Sequence, residues 1–174
     1  RTSFVDRPCD ERGEGTGGEA AAAVSVVVAL SSGSPTPPGV ALTVRGVVTP
    51  DFRAAGRLNV FFIQQPAPDS DAATSEGIFI FAPGNTVALK IGDYVQASGS
   101  VVEFKSGSTD PERATQISQL TQLDVCGAAT PIKPTRLRLP VDSTAELEAV
   151  EGMLVRFEQP LHVTESFSLG RFGE

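Results

Sequence analysis

The sequence has no tryptophan and only one methionine, one tyrosine and one histidine among 174 residues. A single histidine, His162, excludes the histidine pairs and clusters on which many metal centres and acid–base sites depend. No nucleophilic side chain stands directly beside it, and no pair of carboxylates has a pocket signature around it. Because His162 lies between two apolar residues of a predicted strand, we interpret it as an ordinary edge or surface histidine. The sequence therefore predicts no catalytic site of its own.

Long hydrophobic runs and an excess of positive charge are also missing. A membrane helix needs about 18 apolar residues, and the longest candidate is AAAAVSVVVAL at 20–30. We interpret this run as a strand or connector, with a leftover targeting segment as the alternative, and we expect no membrane partner. The net charge of −7 argues against a broad basic surface for nucleic acid, although a local patch depends on where the charges lie.

Cysteine is scarce, since Cys9 and Cys126 are the only two in the chain. They are either two free thiols in a reducing compartment or one bridge that ties the amino-terminal segment to the domain. In the chain-entropy view, a bridge that closes a loop of about 100 residues is worth roughly 4–5 kcal/mol. The residues alone leave both alternatives open. Two cysteines and one distant histidine do not make a tetrahedral zinc site.

Glycine and proline are abundant, with 17 and 13 residues, which favours many short strands and turns. Gly46 and Gly99 stand in the middle of two predicted strands, at places where the strands of a small barrel bend. In the last run the apolar spacing changes from three to two, which predicts a β-bulge. The predicted strands cover residues 42–49, 58–65, 77–82, 94–104 and 116–125. This pattern favours an all-β fold, a five-stranded Greek-key barrel of the OB type, with a β-sandwich as the alternative.

The segments on either side of the predicted barrel have a different composition. Ser143 and Glu146 form a capping box that predicts a short helix, and Gly152 is expected to end it. Two further strands are predicted at 153–157 and 161–167, and because they have no partner strands we expect the chain to be a fragment of a longer protein. The predicted organisation is a flexible amino-terminal arm and connector at 1–39, the barrel at 40–130, and a proline-bounded linker, helix and start of a second β module at 131–174.

Several segments, in order, resemble one protein family. They are VRGVVTPDF (44–52), FFIQQPAPDSDAATSEGIFIF (61–81), IGDYVQASGSVVEF (91–104), TQISQLTQLDVCG (115–127), LEAVEGMLVRFEQPLHVTE (147–165) and SLGRFGE (168–174). Together they resemble the region that precedes the catalytic domain in secreted bacterial endonucleases of the ExeM/NucH type. That region contains an OB-fold domain like the one in the sugar-nonspecific nuclease YhcR. The resemblance covers residues 40–174.

The resemblance implies a role in an extracellular enzyme whose chemistry is done elsewhere. It implies that a Mg- or Ca-dependent domain of the endonuclease/exonuclease/phosphatase superfamily follows in the parent chain and is a partner of this module. No cofactor is expected within the present residues for that chemistry. The family often has a cysteine before the barrel and a Cys-Gly pair after its last strand. This similarity implies a disulfide between Cys9 and Cys126.

The predicted nucleic-acid face follows from the way OB folds bind single strands, by aromatic stacking and backbone neutralisation across the second and third strands. Asp51 is the only acidic residue between the first and last arginines of this stretch, so the stretch is locally positive. Strand alternation places at least half of the phenylalanines in the core and turns one of the adjacent pair outward. The predicted contacts to DNA or RNA are Arg45, Arg53, Arg57, Phe61, Phe62 and Phe79. The rival function is a structural or protein-interaction β domain that binds no nucleic acid, which the acidic net charge favours.

An acidic loop is the last candidate site. Asp69, Asp71 and Glu76 carry carboxylate oxygens, the ligands that Ca²⁺ prefers. The loop lacks the central glycine and the ligand number of an EF-hand. A solvated loop with turn-forming aspartates is therefore the alternative to a calcium site.

Overall fold

The structure of the protein is a computed structural model that describes residues 37–54, 58–68, 71–105 and 114–164. Most of the predicted arm, at 1–36, and the end of the last predicted strand, at 165–167, lie outside these ranges. The elements are β1 (Ala41–Phe52), β2 (Val60–Gln64), β3 (Gly77–Phe81), β4 (Asp93–Phe104), β5 (Ala114–Ala128), β6 (Thr135–Leu137), α1 (Thr144–Glu148) and β7 (Val155–Phe157). The predicted all-β class is confirmed, because the described residues contain a single short helix beside these strands.

The first five strands form one sheet that closes on itself. β1 pairs antiparallel with both β2 and β4, β2 pairs antiparallel with β3, and β4 pairs antiparallel with β5. A short parallel contact between β3 and β5 completes the ring in the order β1-β2-β3-β5-β4. We call this the closed sheet. The strands lie within a few residues of their predicted positions, and one closed sheet does not fit the alternative of two stacked sheets.

The two mid-strand glycines are explained by close approach of the neighbouring strand. A Cβ on Gly46 would lie 3.0 Å from the carbonyl oxygen of Gln64 in β2. A Cβ on Gly99 would lie 2.5 Å from the carbonyl oxygen of Ser118 in β5. The distance at Gly99 is shorter than real side chains show and the distance at Gly46 is shorter than most of them show, so glycine lets the strands curve tightly around a small core.

The predicted bulge lies in β5. Ser98 of β4 is opposite Gln122, whereas Ser100 is opposite Ser118, so β5 has extra residues between the two pairs. Gln119, within the bulge, has a φ of 51°, in the left-handed region that favours glycine. The bulge prediction is confirmed, and it accounts for the change of apolar spacing along this strand.

The hydrophobic core fills the inside of the closed sheet. Phe61 and Ile63 of β2 face inward, as do Ile80 of β3 and Ile117 of β5, and each is almost fully buried. Full burial of such a side chain stabilises the fold by roughly 1.5–3 kcal/mol. Because strand side chains alternate, the residue between Phe61 and Ile63 must lie on the outside of the sheet.

The segment after β5 forms a small parallel sheet rather than a linker. β6 lies within the predicted linker and pairs with β7. The prediction that the strand near 153–157 lacks a partner is therefore wrong, because three residues of the predicted linker provide one. Residues 161–164, the described part of the other predicted strand, form no strand. We call residues 131–164 the extension.

The helix of the extension forms where the sequence predicts it, but its ends differ. Ser143 is the N-cap residue and makes no side-chain capping hydrogen bond, so the predicted capping box is wrong. Instead, the backbone N–H of Asp142 donates to Oε1 of Glu146 at 3.0 Å. The helix ends at Glu148, and a turn lies between this end and Gly152, the residue that was expected to end the helix. No helix in the described part of the chain combines the length and apolar character needed to cross a bilayer.

The extension packs against β2 and β3. The backbone N–H of Leu154 donates to the side-chain oxygen of Gln64 at 2.9 Å, and Gln64 is buried. The hydroxyl of Ser75 donates to the backbone carbonyl of Glu151 at 2.5 Å. These partly buried bonds join the extension to β2 and to the segment just before β3.

Candidate nucleic-acid interface

Three phenylalanine rings lie together on the outer surface of β1, β2 and β3. Phe62 is directly opposite Phe79 in the β2–β3 ladder, and their ring centroids are 5.3 Å apart. Phe52 packs edge-on against Phe62 at 6.4 Å. These separations are typical of favourable aromatic pairs. All three side chains keep solvent contact, and we call Phe52, Phe62 and Phe79 the aromatic face.

A groove of about 240 Å³ begins at the aromatic face and runs to the extension. Phe104, at the end of β4, is 50% exposed and adds a further aromatic side chain to its wall. Glu151 and Gly152 form the side that belongs to the extension. Sequence patterning did not identify Phe104 or Glu151, because Phe104 reaches this groove through the pairing of β5 with both β4 and β3, and Glu151 through the packing of the extension.

Carboxylates give one wall of this groove an acidic character. Burial, together with the nearby charges of Glu148 and Glu103, raises the pKa of Glu151 to about 7. Glu103 accepts a hydrogen bond from the hydroxyl of Thr115 at 2.9 Å. An anionic group in the groove therefore meets increasing repulsion once Glu151 ionises.

Arg53 is a structural residue of the loop after β1. Its guanidinium donates two hydrogen bonds to the carboxylate of Asp51, each 2.8 Å long, and a third to Oδ1 of Asn85 at 3.2 Å. It also lies 5.2 Å from the centre of the Phe61 ring, and its side chain is only 9% exposed. The hydrogen bond from Arg53 holds the pKa of Asp51 below its usual value, against the opposing effect of burial. The predicted phosphate contact at Arg53 is therefore corrected, because its donors already have partners inside the protein.

The other predicted contacts divide between the interior and the surface. Phe61 is fully buried in the core and offers no ring for a base, which corrects its predicted role. Its neighbour Phe62 faces outward, as expected for one member of the pair. Arg45 donates from Nε to the side-chain oxygen of Gln96 at 2.7 Å, between β1 and β4. Arg57 lies outside the described residues. The structure thus brings Phe62 and Phe79 together, while Arg45 and Arg53 bond to other side chains.

A basic group that sequence reasoning missed lies on the extension. Arg136 of β6 is directly opposite Arg156 of β7, and both side chains are exposed. Arg138, two residues beyond Arg136, is also exposed. We call Arg136, Arg138 and Arg156 the arginine strip. The alternating TRLRL pattern at 135–139 was an available signal for a strand, but the prolines on either side of it favoured a linker.

The acidic loop and the cysteines are only partly described. Asp69 lies outside the described residues, while Asp71 is exposed and accepts a hydrogen bond from the N–H of Ala73 at 3.0 Å. Glu76 is a buried residue with 7% exposure, whereas Asp71 is exposed. Within the ranges that the structure describes, no three His, Cys, Asp or Glu side chains are grouped to hold a metal. The calcium site stays a prediction.

Of the two cysteines in the predicted disulfide, Cys9 lies outside the described residues. Cys126, near the end of β5, is buried with 6% exposure. The pairing of Cys9 with Cys126 stays a prediction.

The sequence matches no protein-family model, and no curated protein shows significant similarity to it.

Proposed function

We propose that this chain is an OB-fold module that holds single-stranded DNA or RNA on its aromatic face. The support from the fold is the pairing order of the closed sheet, β1-β2-β3-β5-β4, with its parallel β3–β5 contact. Five-stranded OB barrels bind ligands across their second and third strands, and the aromatic face lies on β2 and β3 with one ring from β1. The observation that carries the proposal is the outward pair of Phe62 and Phe79.

Stacking of bases on such rings suits a module that must accept any sequence. Each base that stacks on an aromatic side chain is worth about 1–3 kcal/mol, and every base has a face that can stack. In the proposed setting, the module holds a strand while a separate metal-dependent domain of a secreted endonuclease hydrolyses it. The sequence resemblance described above supports this setting.

The proposal is tested with a fluorescein-labelled oligo-dT and oligo-rU in an anisotropy titration. Phe62→Ala and Phe79→Ala should each weaken binding by roughly 5- to 150-fold, the equivalent of one lost stacking contact. Ile91→Ala is the matched control, because Ile91 is an exposed apolar side chain that does not belong to the aromatic face. Wild-type affinity in a folded Phe62→Ala/Phe79→Ala double variant would remove the proposal.

A second candidate is a protein-docking domain, and the acidic wall of the groove favours it. Apolar rings beside Glu151 and Glu103 suit a partner segment that presents an apolar side chain next to a positive charge. The salt dependence of binding separates the two functions. Phosphate contacts give a steep loss of affinity with salt, whereas the docking candidate gives no oligonucleotide binding at any salt concentration.

A further inference from the structure

We propose that the arginine strip contacts the phosphate backbone of the same strand whose bases stack on the aromatic face. This inference rests on the proposed function and adds the positive surface that it requires. Arg45 and Arg53 already bond to protein side chains. The exposed strip supplies guanidinium groups that face the solvent.

The strip places like charges side by side, an arrangement that a bound anion would stabilise. Arg136 and Arg156 are directly opposite in the parallel β6–β7 ladder, and like charges in that position destabilise a sheet. Glu158 lies 3.6 Å from Arg136, but the two side chains are 82% and 44% exposed, so the pair is weak. Three arginines against this one carboxylate leave an excess of two positive charges on a chain whose net charge is −7.

The extension, which carries the strip, is hydrogen-bonded to β2, which carries Phe62 of the aromatic face. Leu154 donates to Gln64 at 2.9 Å. Gln64 follows Phe62 by two residues on the same side of β2, and Arg156 follows Leu154 by two residues. At about 3.3 Å per residue, the path from Phe62 to Arg156 is roughly 20 Å or less. A single OB fold covers about 4–16 nucleotides of a single strand, so one bound strand spans both surfaces.

Arginine has the right chemistry for this contact. Its planar guanidinium remains charged at every physiological pH and donates two parallel hydrogen bonds to a phosphate. Such contacts carry no base preference, which matches the sequence-tolerant stacking proposed for the aromatic face. The acidic wall at Glu151 disfavours a backbone path through the groove and directs phosphates toward the strip.

The test is a salt titration of oligo-dT and oligo-rU binding to the whole chain. The Arg136→Ala/Arg156→Ala double variant should bind at least about tenfold more weakly at low salt. The slope of log affinity against log salt should become shallower by about 1.4, since each phosphate contact on a single strand contributes roughly 0.7. Arg136→Lys/Arg156→Lys keeps the charge and should keep most of the slope. Lys90→Ala, which removes an exposed positive charge outside the strip, should change the slope less than the double variant.

The outcomes separate this inference from the proposed function. An unchanged slope in the Arg136→Ala/Arg156→Ala variant, combined with weakened binding in Phe62→Ala, overturns the strip and leaves the aromatic face. A reduced slope with no effect of Phe62→Ala supports the strip and removes the aromatic face. Binding of the wild-type chain to phosphatidylserine vesicles but to neither oligonucleotide overturns both.

Discussion

Gly77 of β3 and Gly152 of the extension are in direct backbone contact. A Cβ placed on Gly77 would lie 2.4 Å from the carbonyl carbon of Gly152, a distance that no real side chain adopts. Gly152 also has a φ of 67°, in the left-handed region that glycine adopts without strain. Through this contact, the extension packs closely against the closed sheet at the edge of the groove.

Gly77→Ala should therefore destabilise the protein by roughly 3 kcal/mol, in the upper part of the range for overpacking. The clash involves backbone, which cannot move without separating the extension from β3. The measurement is urea denaturation followed by circular dichroism. Gly84→Ala is the control, since its added Cβ meets nothing and its left-handed φ of 71° should cost only about 1–2 kcal/mol. Equal losses in the two variants would contradict the contact.

Phe61 and Phe62 should respond in opposite ways to truncation. Phe61→Ala leaves a cavity in the core and should cost about 3–5 kcal/mol of stability. Phe62→Ala removes a partly exposed ring and its aromatic partners, and should cost about 1 kcal/mol. Oligonucleotide affinity, measured where both variants are folded, should fall much more for Phe62→Ala than for Phe61→Ala. A larger stability loss at Phe62 would show that the inward and outward sides of β2 are assigned incorrectly.

Arg53 should matter for stability and not for the salt dependence of binding. Arg53→Ala leaves the carboxylate of Asp51 without its bidentate partner and should cost roughly 1.5–3 kcal/mol. An Asp51→Ala/Arg53→Ala double-mutant cycle should give a favourable coupling energy. Because the pKa of Asp51 is lowered in the folded state, the stabilisation is present above its unfolded pKa of 3.8 and is lost as pH falls below that value. A shallower salt slope in Arg53→Ala would restore it as a phosphate contact.

Glu151 should make both stability and binding depend on pH. Its pKa rises from 4.5 to about 7 on folding. Its contribution to the free energy of unfolding is therefore fully present below pH 4.5 and is lost as pH rises through about 7. Unfolding free energy should therefore decline over this interval in the wild type. Glu148 and Glu103 face the same carboxyl and add to the repulsion. Oligonucleotide affinity should decline over the same interval.

Glu151→Gln is the variant that tests this assignment, because it keeps the shape of the side chain and removes its titration. Its unfolding free energy should change less between pH 4.5 and pH 7 than that of the wild type. Identical pH profiles for the two proteins would assign the effect to another group. The profiles are measured by urea denaturation at fixed ionic strength, so that screening does not change with pH.

Much of the closed sheet was predictable because its signals are local. Period-2 apolar runs located the strands, Gly46 and Gly99 marked the close approaches, and the spacing change near Gln119 predicted the bulge. The extension was predicted less well, since the alternating pattern around β6 is short and lies between two prolines, which favour a linker. Its partner is also separated from it by α1, which no local pattern can indicate.

The candidate site divides in the same way. Alternation alone required that either Phe61 or Phe62 face outward, and the core decided that it is Phe62. The prediction that arginines close together in the sequence form one binding surface is wrong for Arg53. The Arg53 guanidinium binds the nearby carboxylate of Asp51 and does not remain in solvent.

The amino-acid sequence by itself determined the strands of the closed sheet, their alternation and the glycines that let them curve, because these depend on the chemistry of neighbouring residues. Only the tertiary structure decided which charges remain available to a ligand. Arg53 became buried and paired, while Arg136 and Arg156, twenty positions apart along the chain, became neighbours on an exposed sheet. The physical reason is that ring closure and the docking of the extension are long-range contacts. They assign each side chain to core, groove or solvent only after the strands have come together.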